Sequence, residues 1–149
     1  MILYLVDTNV LSAGAPTKAI ASPDLVAWMD RNSASLFLSV ITVAELEDGI
    51  AKLRRQGATQ KAKGLTEWLE VLLHLYGKRI IPVDLGAARH MGRLSDLARS
   101  KGHDPGLADI AIAATALQHG CSILTRNVRH FEPLEVPVQD PFSALPADS

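Results

Sequence analysis

The chain has 149 residues, 48% of them hydrophobic and 21% charged, a composition that excludes a disordered protein and predicts one soluble globular domain. Fifteen basic and sixteen acidic residues give a formal net charge of −1, so the chain lacks an overall basic signature of nucleic-acid binding, although a local basic rim around an acidic centre is compatible with this balance. The single cysteine excludes an internal disulfide and a cysteine-based zinc site, and the lack of a signal peptide or of about 20 consecutive apolar residues predicts a cytoplasmic protein without membrane contact.

The first predicted element is a buried strand at residues 2–6, an unbroken apolar run that ends abruptly at Asp7. A short helix is predicted over residues 8–13. Residues 22–24, Ser-Pro-Asp, have the pattern of an N-cap, a first-position proline and a first-turn acid, so they predict the start of the next helix. A second apolar run at residues 36–40 predicts another strand.

Two longer helices are predicted after this second strand. Thr42 and Glu45 have the spacing of a capping box, which places Glu45 in the first turn of the earlier helix, just beyond a strand end. The later helix is predicted over residues 59–76, and the two helices together form a helical arm. The basic and apolar faces of this arm suit contact with a second copy or a partner, or plain exposure to solvent.

The second half of the chain continues the alternation of strands and helices. Asp84 is a good N-cap for one helix, and Asp104 and Pro105 are candidates for the cap and first position of another. The remaining predicted elements are strands at residues 79–83 and 121–124, a helix at 107–119, and an edge strand at 136–138. This alternation predicts an α/β fold in which helices cover both faces of a mainly parallel sheet of about five strands.

Three acids and one amide stand where the strands of such a sheet end. Asp7 follows the first strand, Glu45 begins the helix after the second, and Asn127 follows the strand at residues 121–124. Asp109 lies in an apolar, small-residue helix that is expected to be buried all round, where a carboxylate is costly unless it is paired or bound. These positions converge at one edge of a parallel sheet, the usual ligand site of open α/β folds.

Each of these residues also has a purely structural interpretation. Asp7 can act as a helix N-cap, Glu45 as the capping-box acid, and Asn127 as an ordinary turn residue. Asp109 can complement the dipole at a helix N-terminus, although Asp104 is better placed for that role. Because all four would meet at the same edge, the sequence favours a common site, and these roles can be combined with it.

A cluster of three carboxylates indicates a bound cation. Two unit charges about 4 Å apart repel by roughly 4 kcal/mol at an effective dielectric constant of 20, so three ionised carboxylates need a positive partner. Hard oxygen ligands without nearby histidine or cysteine select Mg²⁺, with Mn²⁺ as a substitute. Such an ion orients a water molecule and lowers its pKa, which suits the hydrolysis of phosphodiester bonds.

The same residues resemble a known family, the PIN-domain ribonucleases. The resemblance lies in the Asp7-Thr8-Asn9 opening, Glu45 after the second strand, the helix around Asp109, and residues 124–131. It spans residues 2–142 and is closest to the VapC toxins of type II toxin–antitoxin modules, in particular the FitB-like subgroup. The three-residue opening alone has low specificity, but four segments in this order and spacing are fairly specific.

The resemblance implies a three-layer PIN fold as one domain over residues 1–142, followed by a loose tail at 143–149. It implies Mg²⁺-dependent cleavage of RNA, a homodimer, and a VapB- or FitA-like antitoxin that covers the active site. By position Asp7 and Asp109 match the main metal ligands and Glu45 a third acid. The family's fourth acid falls at or near Asn127, and His130 stands where many relatives have an acid, so one well-held ion is expected.

Further residues near these acids have two open interpretations each. Thr8 and Thr125 are expected either to position a carboxylate or water, or to make only backbone hydrogen bonds at a strand end. Arg126 and Arg129 are candidates for RNA phosphate contacts or for solvent-exposed cations. The five histidines show no ligand spacing, and most are expected at the surface.

Two other functions remain open from the sequence. A PIN-like domain could bind RNA or an antitoxin without cutting, an interpretation that the uncharged Asn127 favours. An aspartyl phosphatase or phosphoacceptor domain also carries an acid at the end of its first strand, but the phosphatase motif requires a second aspartate at the position of Asn9.

Overall fold

The computed structural model of the protein describes residues 1–16 and 22–148. Five strands form one sheet: β1 (Leu3–Val6), β2 (Leu36–Ser39), β3 (Ile80–Ile81), β4 (Cys121–Leu124) and β5 (Val138–Gln139). Their spatial order is β3-β2-β1-β4-β5, and every neighbouring pair is parallel. The predicted strands are confirmed, with β3 and β5 shorter or shifted by one or two residues.

Seven α-helices occur in the described part of the chain. They are α1 (Thr8–Leu11), α2 (Pro23–Arg31), α3 (Val40–Arg55), α4 (Thr59–Tyr76), α5 (Leu85–Ser100), α6 (Leu107–His119) and α7 (Val128–Phe131). The bounds of α4 agree with the prediction at both ends. None of the helices among these residues is long and apolar enough to cross a membrane.

The sheet is buried on both faces because its side chains alternate between two apolar clusters. Leu5 and Ile123 pack on one side with residues of α5 and α6, where Ile112 is 1% exposed. Val6 and Leu124 pack on the other side with α1, α2 and α4, around the buried Trp28. The three-layer α/β/α fold predicted from the apolar runs is therefore confirmed.

β1 lies at the centre of the sheet, and this position organises the rest. Leu5 is in register with Phe37 of β2 and with Ile123 of β4, so the carboxyl ends of the three strands lie side by side. The backbone N–H of Asp7 extends the β1–β4 ladder by donating to Leu124 O at 2.9 Å. Residues that follow these strands are consequently brought together.

The caps predicted for two of the helices are wrong, although α6 spans the predicted residues 107–119. Ser39, not Thr42, caps α3, because its hydroxyl accepts from Ile41 N at 3.0 Å while Thr42 lies inside the helix and is 1% exposed. The capping box therefore does not form. α6 begins at Leu107 after Gly106, without a side-chain cap, so Asp104 does not cap it and Pro105 is not its first residue.

The predicted cap of α5 is confirmed, since Asp84 Oδ1 accepts from Ala87 N at 2.9 Å. At the other end of the chain, residues 140–148 form turns without a helix or strand. Phe142 in this segment packs against the cluster around Trp28, and Asp148 accepts from Asn32 Nδ2 at 2.9 Å.

Candidate active site

The centre of the candidate site is Asp7, which is only 7% exposed at the carboxyl end of β1. Its Oδ1 accepts from Thr8 N at 2.9 Å, so it does cap α1, as its structural interpretation predicts. Its Oδ2 accepts from Thr125 Oγ1 at 2.8 Å and from Asn9 Nδ2 at 3.3 Å. Both carboxyl oxygens are thus held in place by neutral hydrogen-bond donors.

Asn9 and Thr125 lock the ends of β1 and β4 together around this carboxylate. Asn9 Oδ1 accepts from Arg126 N at 2.9 Å, and Asn9 Nδ2 also lies 3.2 Å from Thr125 Oγ1. Thr125 is fully buried, and its hydroxyl also accepts from Asn127 N at 3.0 Å. Thr125 therefore positions a carboxylate as well as bonding to the backbone, which unites its two expected roles.

Glu45 reaches the same place from α3. It is the sixth residue of the helix rather than a first-turn acid, and its Oε1 accepts from Thr8 Oγ1 at 2.8 Å. Partial burial of the carboxyl raises the pKa of Glu45, the hydrogen bond from Thr8 opposes this, and the charges of Asp7 and Asp109 raise it further. Thr8 is accordingly a carboxylate-positioning residue.

Asp109 approaches from the first turn of α6, with 28% of its side chain exposed. Burial raises its pKa most, the nearby His130 lowers it, and the charge of Asp7 raises it again. His130 Nδ1 lies 3.4 Å from Asp109 Oδ2. The middle of α6, from Ile110 to Ala116, is buried as predicted, but its first turn opens to solvent and leaves Asp109 accessible.

Among the described residues, Asn127 shares no hydrogen bond with the three acids. Asn127 is exposed just before α7, and within the described residues its side chain makes no hydrogen bond. The guanidinium of Arg126 packs on an aromatic ring, since it lies 3.9 Å from the ring centre of Phe142. Arg129 and His130 instead line a polar pocket beside Asp109.

Sequence reasoning missed two partners of the acids. The sequence assigns Asn9 no role beyond its place in the Asp7-Thr8-Asn9 opening and at the phosphatase position, yet it donates to Asp7 and accepts from Arg126 N. Its position in the Asp7-Thr8-Asn9 opening was the available signal. The sequence places His130 where many relatives have an acid, but its contact with Asp109 depends on the fold, and 58% of its side chain is exposed.

The three acids fit a hard cation by their chemistry. In residues 1–16 and 22–148, no three His, Cys, Asp or Glu side chains stand close enough together to enclose a metal ion as they are. The acids nevertheless repel one another electrostatically, because the charges of Asp7 and Asp109 raise the pKa of Glu45. Their donors are carboxylate oxygens, the ligands that Mg²⁺ prefers. A bound cation would relieve this repulsion.

Comparison with known proteins gives the same assignment as the resemblance in the sequence. The PIN domain family model matches residues 4–134. Toxin FitB of Neisseria gonorrhoeae is 36% identical over 142 residues, which cover 94% of this chain and 99% of that protein. The VapC ribonuclease Y4jK of Sinorhizobium fredii is 36% identical over 148 residues, with 94% and 98% covered.

The fold agrees at the level of coordinates. The crystal structure of FitAcB from Neisseria gonorrhoeae matches with a TM-score of 0.82 at 36% identity, covering 94% of this chain and 99% of that one. The phosphatase interpretation is left without support, since the amide of Asn9 occupies the place of its second acid and donates to Asp7. The chain belongs to the PIN domain family, in the group that includes FitB- and VapC-like proteins.

Proposed function

We propose that this protein is a divalent-metal-dependent endoribonuclease that acts as the toxin of a type II toxin–antitoxin module in the cytoplasm. The observation that carries the proposal is the meeting of three acids from β1, α3 and α6 at one sheet edge, where two of them have raised pKa values. The names of the relatives support it, since one is a toxin and another a ribonuclease.

In this proposal Asp7, Asp109 and Glu45 would hold one Mg²⁺ ion, which Mn²⁺ can replace. When bound, the ion supplies a polarised water and neutralises charge on the scissile phosphate. Asp7 is the fixed ligand, because Thr8 N, Thr125 and Asn9 already orient it. The scissile phosphate would approach the open side of the site, next to Asp109.

Glu45 has a further role that its environment favours. Its raised pKa makes its carboxylate a better proton acceptor than an ordinary glutamate, while Thr8 holds one of its oxygens in place. Its other oxygen has no hydrogen-bond partner among the described residues. We assign Glu45 as the group that takes a proton from the attacking water. Asn127 is left as an exposed residue that can at most bind water or RNA.

The partners follow from the same assignment. We propose a homodimer and a VapB- or FitA-like antitoxin that covers the active site, with the domain spanning residues 1–142. The helical arm of α3 and α4 supports a partner surface, since Val71 and Leu75 are 57% and 62% exposed. Light scattering of the purified chain measures its oligomeric state. Expression of the chain should inhibit growth, and co-expression of a candidate antitoxin should restore it.

Incubation of total cellular RNA with antitoxin-free protein tests the proposed activity. We expect cleavage with Mg²⁺ or Mn²⁺ and none with EDTA. A second candidate is an RNA- or antitoxin-binding module that does not cut, which the exposed, uncharged side chain of Asn127 favours. Intact RNA with either ion, together with retention of RNA on the folded protein, would support this second candidate and contradict the nuclease.

A further inference from the structure

A polar pocket of about 320 Å³ lies directly beside the acid centre. Asp109 forms one wall and so belongs to both the pocket and the proposed catalytic centre. The remaining polar walls come from the loop before α6, with His103 and Asp104, and from α7, with Arg129 and His130. A substrate whose scissile phosphate sits at the acids can therefore extend into this pocket.

Three of the polar side chains that line the pocket, His103, Asp104 and Arg129, stabilise no other part of the fold through hydrogen bonds or ion pairs among the described residues. Asp104 does not cap α6, and within the described residues neither it nor His103 nor Arg129 makes a side-chain hydrogen bond or ion pair. The ion pair of this loop is made by its neighbour, Lys101, whose Nζ lies 2.7 Å from Glu135 Oε2. Unpaired groups that converge on one cavity are available for a ligand.

The chemistry of these walls matches that of one unpaired nucleotide. Imidazole and guanidinium planes stack on bases, and a guanidinium also pairs with phosphate. A carboxylate accepts hydrogen bonds from the exocyclic amino group of a base, as in contacts of aspartate with cytosine N4. The volume is at the lower end of the range for small-ligand pockets, about 300–1,000 Å³, so it suits a single nucleotide rather than a duplex.

We propose that this pocket binds the nucleotide adjoining the scissile phosphate and that Asp104 selects a base with an exocyclic amino group. Arg129 contacts the phosphate of that nucleotide, and His103 lies against the base. Adenine, cytosine and guanine carry an amino group, whereas the N3–H donor of uracil lies between two carbonyl oxygens that repel a carboxylate, so uracil is disfavoured. This inference deepens the proposed function, since it names the selectivity of a ribonuclease.

The first test is independent of cleavage and uses the wild-type chain in EDTA. The four ribonucleoside 3′,5′-bisphosphates are titrated separately, and chemical-shift changes are followed at residues 103–109 and 129–133. We expect the uridine compound to bind at least roughly five-fold more weakly than the best of the others. Equal affinity for all four, undetectable binding, or shifts confined to other surfaces would overturn the proposal.

Substitutions then separate selectivity from affinity. Asp104→Asn should remove the discrimination between bases, whereas Asp96→Asn, an exposed aspartate that does not line the pocket, should retain it. Arg129→Gln should weaken all four compounds alike and reduce the salt dependence of RNA binding by about one counterion, whereas Arg93→Gln should not. If Asp104→Asn keeps the discrimination, the assignment of Asp104 is wrong.

Sequencing of RNA cleavage ends completes the test. We expect uracil to be depleted at one position flanking the cut, and Asp104→Asn to abolish that depletion. If no RNA is cut but the bisphosphates still show the expected preference, the proposed nuclease fails and the nucleotide pocket stands. If RNA is cut without a base preference and the bisphosphates bind equally, the pocket assignment fails and the nuclease stands.

Discussion

The acids of the site differ in how the protein holds them. Asp7 is surrounded by donors, because Thr8 N, Thr125 and Asn9 all point at its oxygens. Asp109 has His130 beside it at 3.4 Å, and burial together with the charge of Asp7 raises its pKa. One carboxylate is therefore part of the scaffold, while the ionised form of the other is disfavoured unless a cation is bound.

This difference predicts opposite effects of two substitutions on stability without metal. Asp109→Asn should leave the free energy of unfolding at neutral pH unchanged or higher, because it removes a disfavoured charge. Asp7→Asn should lower it by about 1–3 kcal/mol, because its amide nitrogen cannot accept from the donors around it. Urea unfolding in EDTA measures both. A destabilised Asp109→Asn alongside a stable Asp7→Asn would contradict this ordering.

The raised pKa of Asp109 also predicts how the stability difference between Asp109→Asn and the parent changes with pH. A carboxyl whose pKa is raised by folding stabilises the folded state below its unfolded pKa and loses that contribution as pH rises through the folded value. The pKa of Asp109 is raised, so any advantage of Asp109→Asn over the parent should grow as pH increases through the acid range. An advantage largest at low pH would contradict the account.

The hydrogen bond from Thr8 to Glu45 makes a second residue-scale prediction. This bond lowers the pKa of Glu45 against the raising effect of burial. Thr8→Val should therefore raise that pKa and shift the acid limb of the pH profile of kcat/KM to higher pH. Thr8→Ser keeps the hydroxyl and should leave the acid limb at the parental pH. An unshifted limb in Thr8→Val would mean that Glu45 does not carry the proton transfer.

At the scale of elements, the start of α3 shows what local pattern can and cannot fix. The apolar run of β2 predicts where the strand lies, but the Thr42–Glu45 spacing predicts a cap three residues after Ser39, the observed cap. The backbone leaves the strand one turn earlier than the Thr42–Glu45 spacing suggests, so Ser39 takes the cap and Thr42 turns inward. Cap choice depends on the exit angle of the strand, which sequence spacing does not encode.

Two nearly isosteric changes test this assignment. Ser39→Ala should cost about 1 kcal/mol of stability, because Ile41 N loses its acceptor. Thr42→Val should be neutral or stabilising by about 1 kcal/mol, because Thr42 Oγ1 is buried and has no hydrogen-bond partner among the described residues. Thermal unfolding of both variants provides the measurement, and the reverse order of stability would restore the capping box.

At the scale of the whole molecule, the fold was predictable because it follows from repeated patterns. Four of the five strands are short apolar runs between helices, and the parallel order brings their polar successors to one edge. The convergence of Asp7, Glu45 and Asp109 follows from that topology. The contacts of Asn9 with Thr125 and Arg126 were not predictable, because they join residues more than 100 positions apart. The contact of His130 with Asp109 was not predictable either, because it depends on the directions of the two side chains.

A single arginine joins three segments of the molecule far from the site. Arg79 donates to Leu36 O at 2.7 Å, to Leu75 O at 3.1 Å and to Ser33 O, and it lies 4.7 Å from the ring centre of Tyr76. Arg79→Lys should cost about 1–3 kcal/mol, because an ammonium cannot reproduce this planar fork. Calorimetry should show this loss, with Arg55→Lys as the exposed control.

Activity gives the matching check on Arg79. We expect RNA cleavage by folded Arg79→Lys at the parental rate, because the arginine supports α2, α4 and β2 rather than the acids. Selective loss of cleavage without loss of stability would show that this end of the sheet is coupled to the site.

The central claim is that three carboxylates at one sheet edge hold a cation, and that this cation is required for the hydrolysis of RNA. Its most direct measurement is the rate of cleavage of one RNA substrate with Mn²⁺ by the parent, Asp109→Asn and Asp96→Asn, each verified as folded. The account predicts that Asp109→Asn loses cleavage by at least about 100-fold, while Asp96→Asn matches the parent and EDTA stops both active proteins. Cleavage by Asp109→Asn at the parental rate would contradict the claim.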